Sequence, residues 1–137
     1  MAQFNTKNQS STVARRWFTD IDINMNLHPE SKDVVLKYDL NAIKRSLRNI
    51  LQTNHYERPF KPSFGANLRQ MLFELASNET KVMKRRIIDS VTKAEPRVIV
   101  EDINVNLQGT NLNLTLLFGI INNKGRHQLD VIVERVR

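Results

Sequence analysis

Glu95, Pro96 and Arg97 place two opposite charges on either side of a residue whose φ is locked. An arginine held this way can grip a carboxylate with both arms of its guanidinium. A glutamate beside it can accept from a donor. Spacing alone also allows a plainer account, a helix stop that carries a solvated ion pair. A second stiff segment runs Arg58-Pro59-Phe60-Lys61-Pro62-Ser63-Phe64-Gly65. Two prolines there restrict φ and push the preceding residues toward extended shapes. Such a loop packs its aromatics back on its own domain, or uses Arg58 to face a partner.

Other constellations carry less. His28, His55 and His127 lie far apart, with no ligand spacing between them. The chain has no cysteine, which excludes disulfides, thiolate metal sites and thiol nucleophiles. Four glycines do not form a phosphate cradle, and no G-x-S-x-G elbow is present. Glu30, Asp33, Glu57 and Glu95 could supply a carboxylate pair for glycoside hydrolysis. None comes with a signature, and 14 acids yield pairs by chance. No catalytic residue, metal or cofactor is therefore expected.

The charge is the stronger global signal. The 137 residues carry 21 Lys+Arg against 14 Asp+Glu, a net charge of +7. Acidic partners are favoured. Residues 1–18 hold Lys7, Arg15 and Arg16 and no acid; residues 40–52 hold Lys44, Arg45 and Arg48 and no acid. Residues 80–94 hold Lys81, Lys84, Arg85, Arg86 and Lys93 against Asp89. Trp17, Tyr38, Tyr56 and the phenylalanines are not interleaved with arginine as a base-stacking platform requires, which argues against nucleic acid. No stretch is long and apolar enough to span a membrane. Met1–Thr6 lack an apolar segment, so no signal peptide is expected.

Several elements must position these residues. Residues 1–13 are polar and read as a flexible arm; residues 14–137 read as one domain. Val34–Tyr38 reads as a short strand, and residues 23–33 as irregular. Asp39 reads as an N-cap. Leu40, Ile43, Leu47, Ile50 and Leu51 follow at helical spacing, with Lys44, Arg45 and Arg48 off the stripe. Leu68, Met71, Leu72 and Leu75 form a second stripe. Met83, Ile87, Ile88, Val91 and Ala94 form a third, ended by Pro96.

After Arg97 the period changes to two. Ile103 to Leu107, Leu112 to Ile120 and Leu129 to Val133 alternate with polar positions, with turns at 108–110 and 122–125. The expected class is α+β: a three-stranded antiparallel meander covered by about three helices, with a short N-terminal strand. His127 is expected on the strand surface. The last strand, Gln128 to Val136, is strongly β-forming at Leu129, Val131, Ile132 and Val133 and has no proline. It closes the meander or stays open for a partner's strand.

The Arg58–Gly65 run, Leu68, Leu72-Phe73-Glu74 and the Glu95-Pro96-Arg97 corner before strands together resemble the wedge subunit of contractile phage-tail baseplates, of the T4-like type. Phe18-Thr19-Asp20-Ile21-Asp22 resembles that family's entry, and the likeness covers about residues 17–121. It implies a virion protein of the inner baseplate, present in host cytoplasm during assembly, that is structural and not an enzyme. It implies that Glu95, Pro96 and Arg97 hold a helical core bundle of larger wedge proteins. It also implies that the C-terminal strands start the tail sheath, and that tube or hub proteins lie near. Arg58, Phe60, Phe64 and Gly65 are the further candidate partner-binding residues, and no small-molecule substrate is expected. A type VI secretion baseplate subunit is the near alternative. A tail-associated peptidoglycan glycosidase and a basic nucleic-acid-binding module are the alternatives from other classes.

Overall fold

A computed structural model describes residues 17–22, 24–74, 80–108, 111–121 and 123–134. The expected arm, 1–13, and Leu75 of the second stripe lie outside the described residues.

The chain opens with β1 (Thr19–Ile21), paired antiparallel to β2 (Leu36–Tyr38) with Ile21 opposite Leu36. The short strand expected at 34–38 is thus half of a two-stranded ribbon. Helix α1 (Asp39–Gln52) follows at once. Its apolar positions 43, 47, 50 and 51 recur at three- and four-residue steps, so one face is continuous and fully buried. The Asp39 carboxylate does not cap this helix. Its Oδ1 accepts from the backbone amides of Trp17 (2.8 Å) and Phe18 (3.1 Å), while the Asp39 amide donates to the Phe18 carbonyl at 2.8 Å. Asp39 has φ +45°, outside helical geometry, which turns its carboxylate toward the incoming chain.

Helix α2 (Leu68–Glu74) buries Leu68, Met71 and Leu72. Helix α3 (Thr80–Ala94) buries Met83, Ile87 and Val91. Ile88, expected in that stripe, is exposed: it is adjacent to Ile87 and therefore rotated well around the helix from the buried line. Pro96 stops α3 as expected. The Glu95 amide makes a last helical bond to Val91, and the Val98 amide then donates to the Glu95 carbonyl at 3.2 Å to turn the chain into the sheet.

Strands β3 (Val98–Gln108), β4 (Asn111–Ile120) and β5 (Asn123–Glu134) form the antiparallel meander in the order β3-β4-β5. On β4, Leu112, Leu114, Leu116, Phe118 and Ile120 all point into the core, joined by Leu129, Val131 and Val133 of β5. Each fully buried aliphatic side chain here is worth roughly 1.5–3 kcal/mol. Ladder pairing reaches Ile120 opposite Asn123, so the turn expected at 122–125 is tighter and β5 begins earlier. His127 lies opposite Phe118 in register, with ring centroids 5.8 Å apart. It is half-buried on the core side, not on the surface, because it shares the parity of Leu129. The fold is α+β, one face of the meander covered by the helices.

Candidate functional site

The helix-to-sheet corner is held internally. Arg97 donates from Nε to Glu95 Oε1 at 2.5 Å and from Nη2 to Glu95 Oε2 at 2.6 Å. Ser46 of α1 donates its hydroxyl to the same Oε2 at 2.6 Å. Glu95 is 3% exposed, and the Arg97 side chain stays 40% exposed. The Arg97 guanidinium lies 4.7 Å from the centroid of the Phe18 ring. Burial pushes the Glu95 carboxyl up, but the bonds from Arg97 and Ser46 outweigh it and hold it below the usual range. The same pairing raises the Arg97 guanidinium above its ordinary value. Glu95 therefore spends its acceptors within the chain, and Arg97 is the exposed member. Pro96 is exposed between them.

The proline loop packs beside this corner. The Tyr56 amide donates to the Pro62 carbonyl at 2.9 Å, and Glu57 accepts from the Asn54 amide and side chain. The Arg58 guanidinium lies 4.6 Å from the centroid of the half-buried Phe64 ring. Gly65 has φ +102°, and an added Cβ would sit 2.3 Å from the Thr53 carbonyl oxygen. Gly65 is thus a conformational requirement, buried under the loop. Tyr56 and Phe60 both have φ +66°, a region that side chains rarely adopt. Phe60 at the tip is fully exposed.

A groove of about 620 Å³ runs along the loop, lined by Asp20, Glu57, Arg58 and Phe64 among others, and reaches Ser46 and Ala94, which adjoin the corner. Two motifs separated by about thirty residues in sequence thus lie near α1, the loop lining the groove directly and the corner joined to it through Ser46. Sequence reasoning missed Ser46 and Phe18. Ser46 is three residues after buried Ile43, so a polar residue on the flank of an apolar stripe was the available signal. Nothing local marks Phe18 as a neighbour of Arg97.

The remaining candidates lie elsewhere, on β5. The side chains of Leu129, Val131 and Val133 are buried and serve the core, while Ile132 is 62% exposed on the opposite face. β3 and β5 are the two edges of the sheet. β3 is interrupted by a bulge between Val100 and Asp102, and β5 pairs without interruption from Asn111–Glu134 to Gly119–Arg126. Among the described residues, no group of three His, Cys, Asp or Glu side chains could hold a metal, and no helix is long and apolar enough to cross a membrane.

The family model described as baseplate wedge protein gp25 matches residues 37–122, a span that contains the loop, the corner and all of β3 and β4. The baseplate wedge protein gp25 of Enterobacteria phage T4 is 37% identical over 89 residues, which is 64% of this chain and 67% of that protein. Two solved structures share the fold. One is the cryo-EM structure of the anti-feeding prophage baseplate, with a TM-score of 0.60 at 18% identity, covering 88% of this chain and 87% of the other. The other is a Geobacter sulfurreducens protein provisionally described as a tail lysozyme, with a TM-score of 0.61 at 19% identity, covering 69% of this chain and 89% of the other.

Proposed function

The chain belongs to the gp25 family of baseplate wedge proteins, and on that premise we propose that it works as a structural adaptor in the virion tail baseplate, without enzymatic activity. It docks on a helical core bundle of larger wedge proteins and offers a strand to the first ring of tail sheath. Its assembly takes place in host cytoplasm, close to tube or hub proteins.

One observation carries the reading: the Arg58–Gly65 loop lines a groove together with Ser46 and Ala94, and Ser46 donates to the Glu95 carboxylate of the fork. A helix laid in that groove would meet Arg58, Lys61 and Phe64 of the loop and Ser46 beside the corner. Glu95 holds the Arg97 head in place before docking, which lowers the ordering cost of binding. The edge of β5 supports the second role, since strand addition needs a regular run of unpaired backbone groups. Reconstitution of wedges from purified subunits tests the adaptor role. Arg97→Lys keeps the charge and loses the fork, so it should fold and assemble poorly. Wild-type assembly by that variant overturns the docking assignment. Reproducible cleavage of peptidoglycan by the purified chain, abolished by one Asp or Glu substitution, overturns the structural reading.

A further inference from the structure

Next to that groove on α1, with Asn49 lining both, lies a second recess of about 510 Å³. Lys37 of β2 and Lys44, Arg45 and Arg48 of α1 line it, and the rest of the lining is carboxamide, including Asn41 and Asn49. Among the described residues, no acid and no aromatic contributes to it. Arg45 is fixed from below: its Nη1 donates to the buried Asp22 carboxylate at 2.5 Å, and Asp22 also accepts from the Asn26 side chain at 2.8 Å. Arg45 Nε is enclosed and finds no acceptor among the described residues. Asp130 of β5 lies near enough to Lys44 to feel its charge. Arg48 is exposed and makes no ion pair among the described residues.

We propose that this recess is a docking site for an acidic segment of a neighbouring protein. Four cations converge on it and, among the described residues, only Asp22 is directly paired with one of them. Guanidinium forks and carboxamides match carboxylates and peptide groups. The chain itself does not supply the occupant: residues 1–16 contain Lys7, Arg15 and Arg16 and no acid, and the chain carries +7 overall, which repels a second copy. No aromatic side chain of the lining is there to stack on an unpaired base, and duplex phosphates, which need no stacking, are separated by the test below. The site goes beyond the corner and the β5 edge, and its test does not depend on either.

The test is fluorescence anisotropy of a short polyglutamate peptide titrated with the full chain at low salt. One saturable site is expected. Arg48→Glu and Lys44→Gln should each weaken binding about tenfold. Arg85→Glu, an exposed charge on α3 away from the recess, should change it by less than about twofold. Circular dichroism checks that each variant is folded. The absence of saturable binding, or equal weakening by Arg85→Glu, overturns the proposal. So does duplex DNA that displaces the peptide and loses affinity with the same substitutions, which makes the recess a nucleic-acid site.

Discussion

Arg97 meets Glu95 fork to fork across Pro96, with Nε to Oε1 at 2.5 Å and Nη2 to Oε2 at 2.6 Å. The two residues differ in depth, one carboxylate almost fully enclosed and one guanidinium half in solvent. A partner that approaches this corner therefore meets an arginine whose countercharge lies behind it. The pair is a local structural support, which ties the helix-to-sheet corner to Ser46 of α1.

That support makes the first prediction. Glu95→Ala leaves a half-buried guanidinium and the Ser46 hydroxyl without their acceptor. Urea unfolding should report a loss of about 2–3 kcal/mol, below the roughly 3–5 kcal/mol of a fully buried broken pair because Arg97 retains access to water. Ser46→Ala removes one of the three bonds and should cost about 1 kcal/mol. Equal stability of Glu95→Ala and the wild type would contradict the pairing.

The second prediction is a pH dependence. The folded-state pKa of Glu95 lies below its ordinary value of 4.5, so the unfolded chain binds more protons in the acid range. The stability from this carboxylate is present above about pH 4.5 and is lost as pH falls through the lowered folded value. Asp22, Glu57 and Asp130 are lowered too and act with the same sign. Urea midpoints should fall on acidification below that point. Glu95→Gln should flatten the fall by up to about 1.4 kcal/mol per pH unit. An unchanged slope in that variant counts against the ionised fork.

Much of the fold was readable because its cues are periodic. The change from 3.6 to two at Arg97, with Pro96 as the stop, marks where helix gives way to meander. The two-stranded ribbon was half hidden, since Thr19-Asp20-Ile21 is too short to set up an alternation. Asp39 carried a local cue, an acid before an apolar stripe, yet its carboxylate serves amides more than twenty residues upstream. Long-range bonds of that kind leave no trace in spacing. The site divides the same way. The corner and the loop were visible as motifs, while the link from the corner to the loop's groove through Ser46 depends on how α1 packs between them.

Gly65 gives the third prediction. Its φ is +102°, and a Cβ added there would lie 2.3 Å from the Thr53 carbonyl oxygen, so Gly65→Ala forces both backbone strain and a clash against a fixed group. The loss should be about 2–4 kcal/mol, read as a lower thermal midpoint. Rescue of docking by any other residue at this position is not expected, because the strain belongs to every side chain.

Phe60 should behave in the opposite way. Its ring touches water on all sides, so Phe60→Ala should leave stability within about 0.5 kcal/mol of wild type. An anchor that fills a partner's pocket is worth about 2 kcal/mol or more on truncation. Wedge reconstitution should therefore need a protein concentration about thirtyfold higher or more. Normal assembly by the folded variant would remove Phe60 from the interface.

The last prediction concerns the edge of β5. A sheet edge presents unpaired amides and carbonyls, and proteins that must stay apart blunt such edges with charge, proline or a bulge. β3 carries a bulge near its start, whereas the Glu101–Arg126 ion pair at 2.9 Å joins β3 to β5 across β4 and touches both edges alike. β5 carries Gln128, Asp130 and Glu134 among its exposed positions, yet Ile132 stands between the two acids as an apolar residue with most of its surface open. A strand laid along β5 would pack a side chain beside Ile132, and such same-face neighbours are worth roughly 0.2–1 kcal/mol per pair. Ile132→Lys adds a charge on the solvent face and leaves Leu129, Val131 and Val133 in the core. The monomer should keep its thermal midpoint. Baseplates that carry the variant should form, and sheath should polymerise on them slowly or not at all, as counted by electron microscopy of assembled tails. Sheath of normal length on folded Ile132→Lys baseplates would end the case for strand addition at β5 and leave the corner groove as the docking surface.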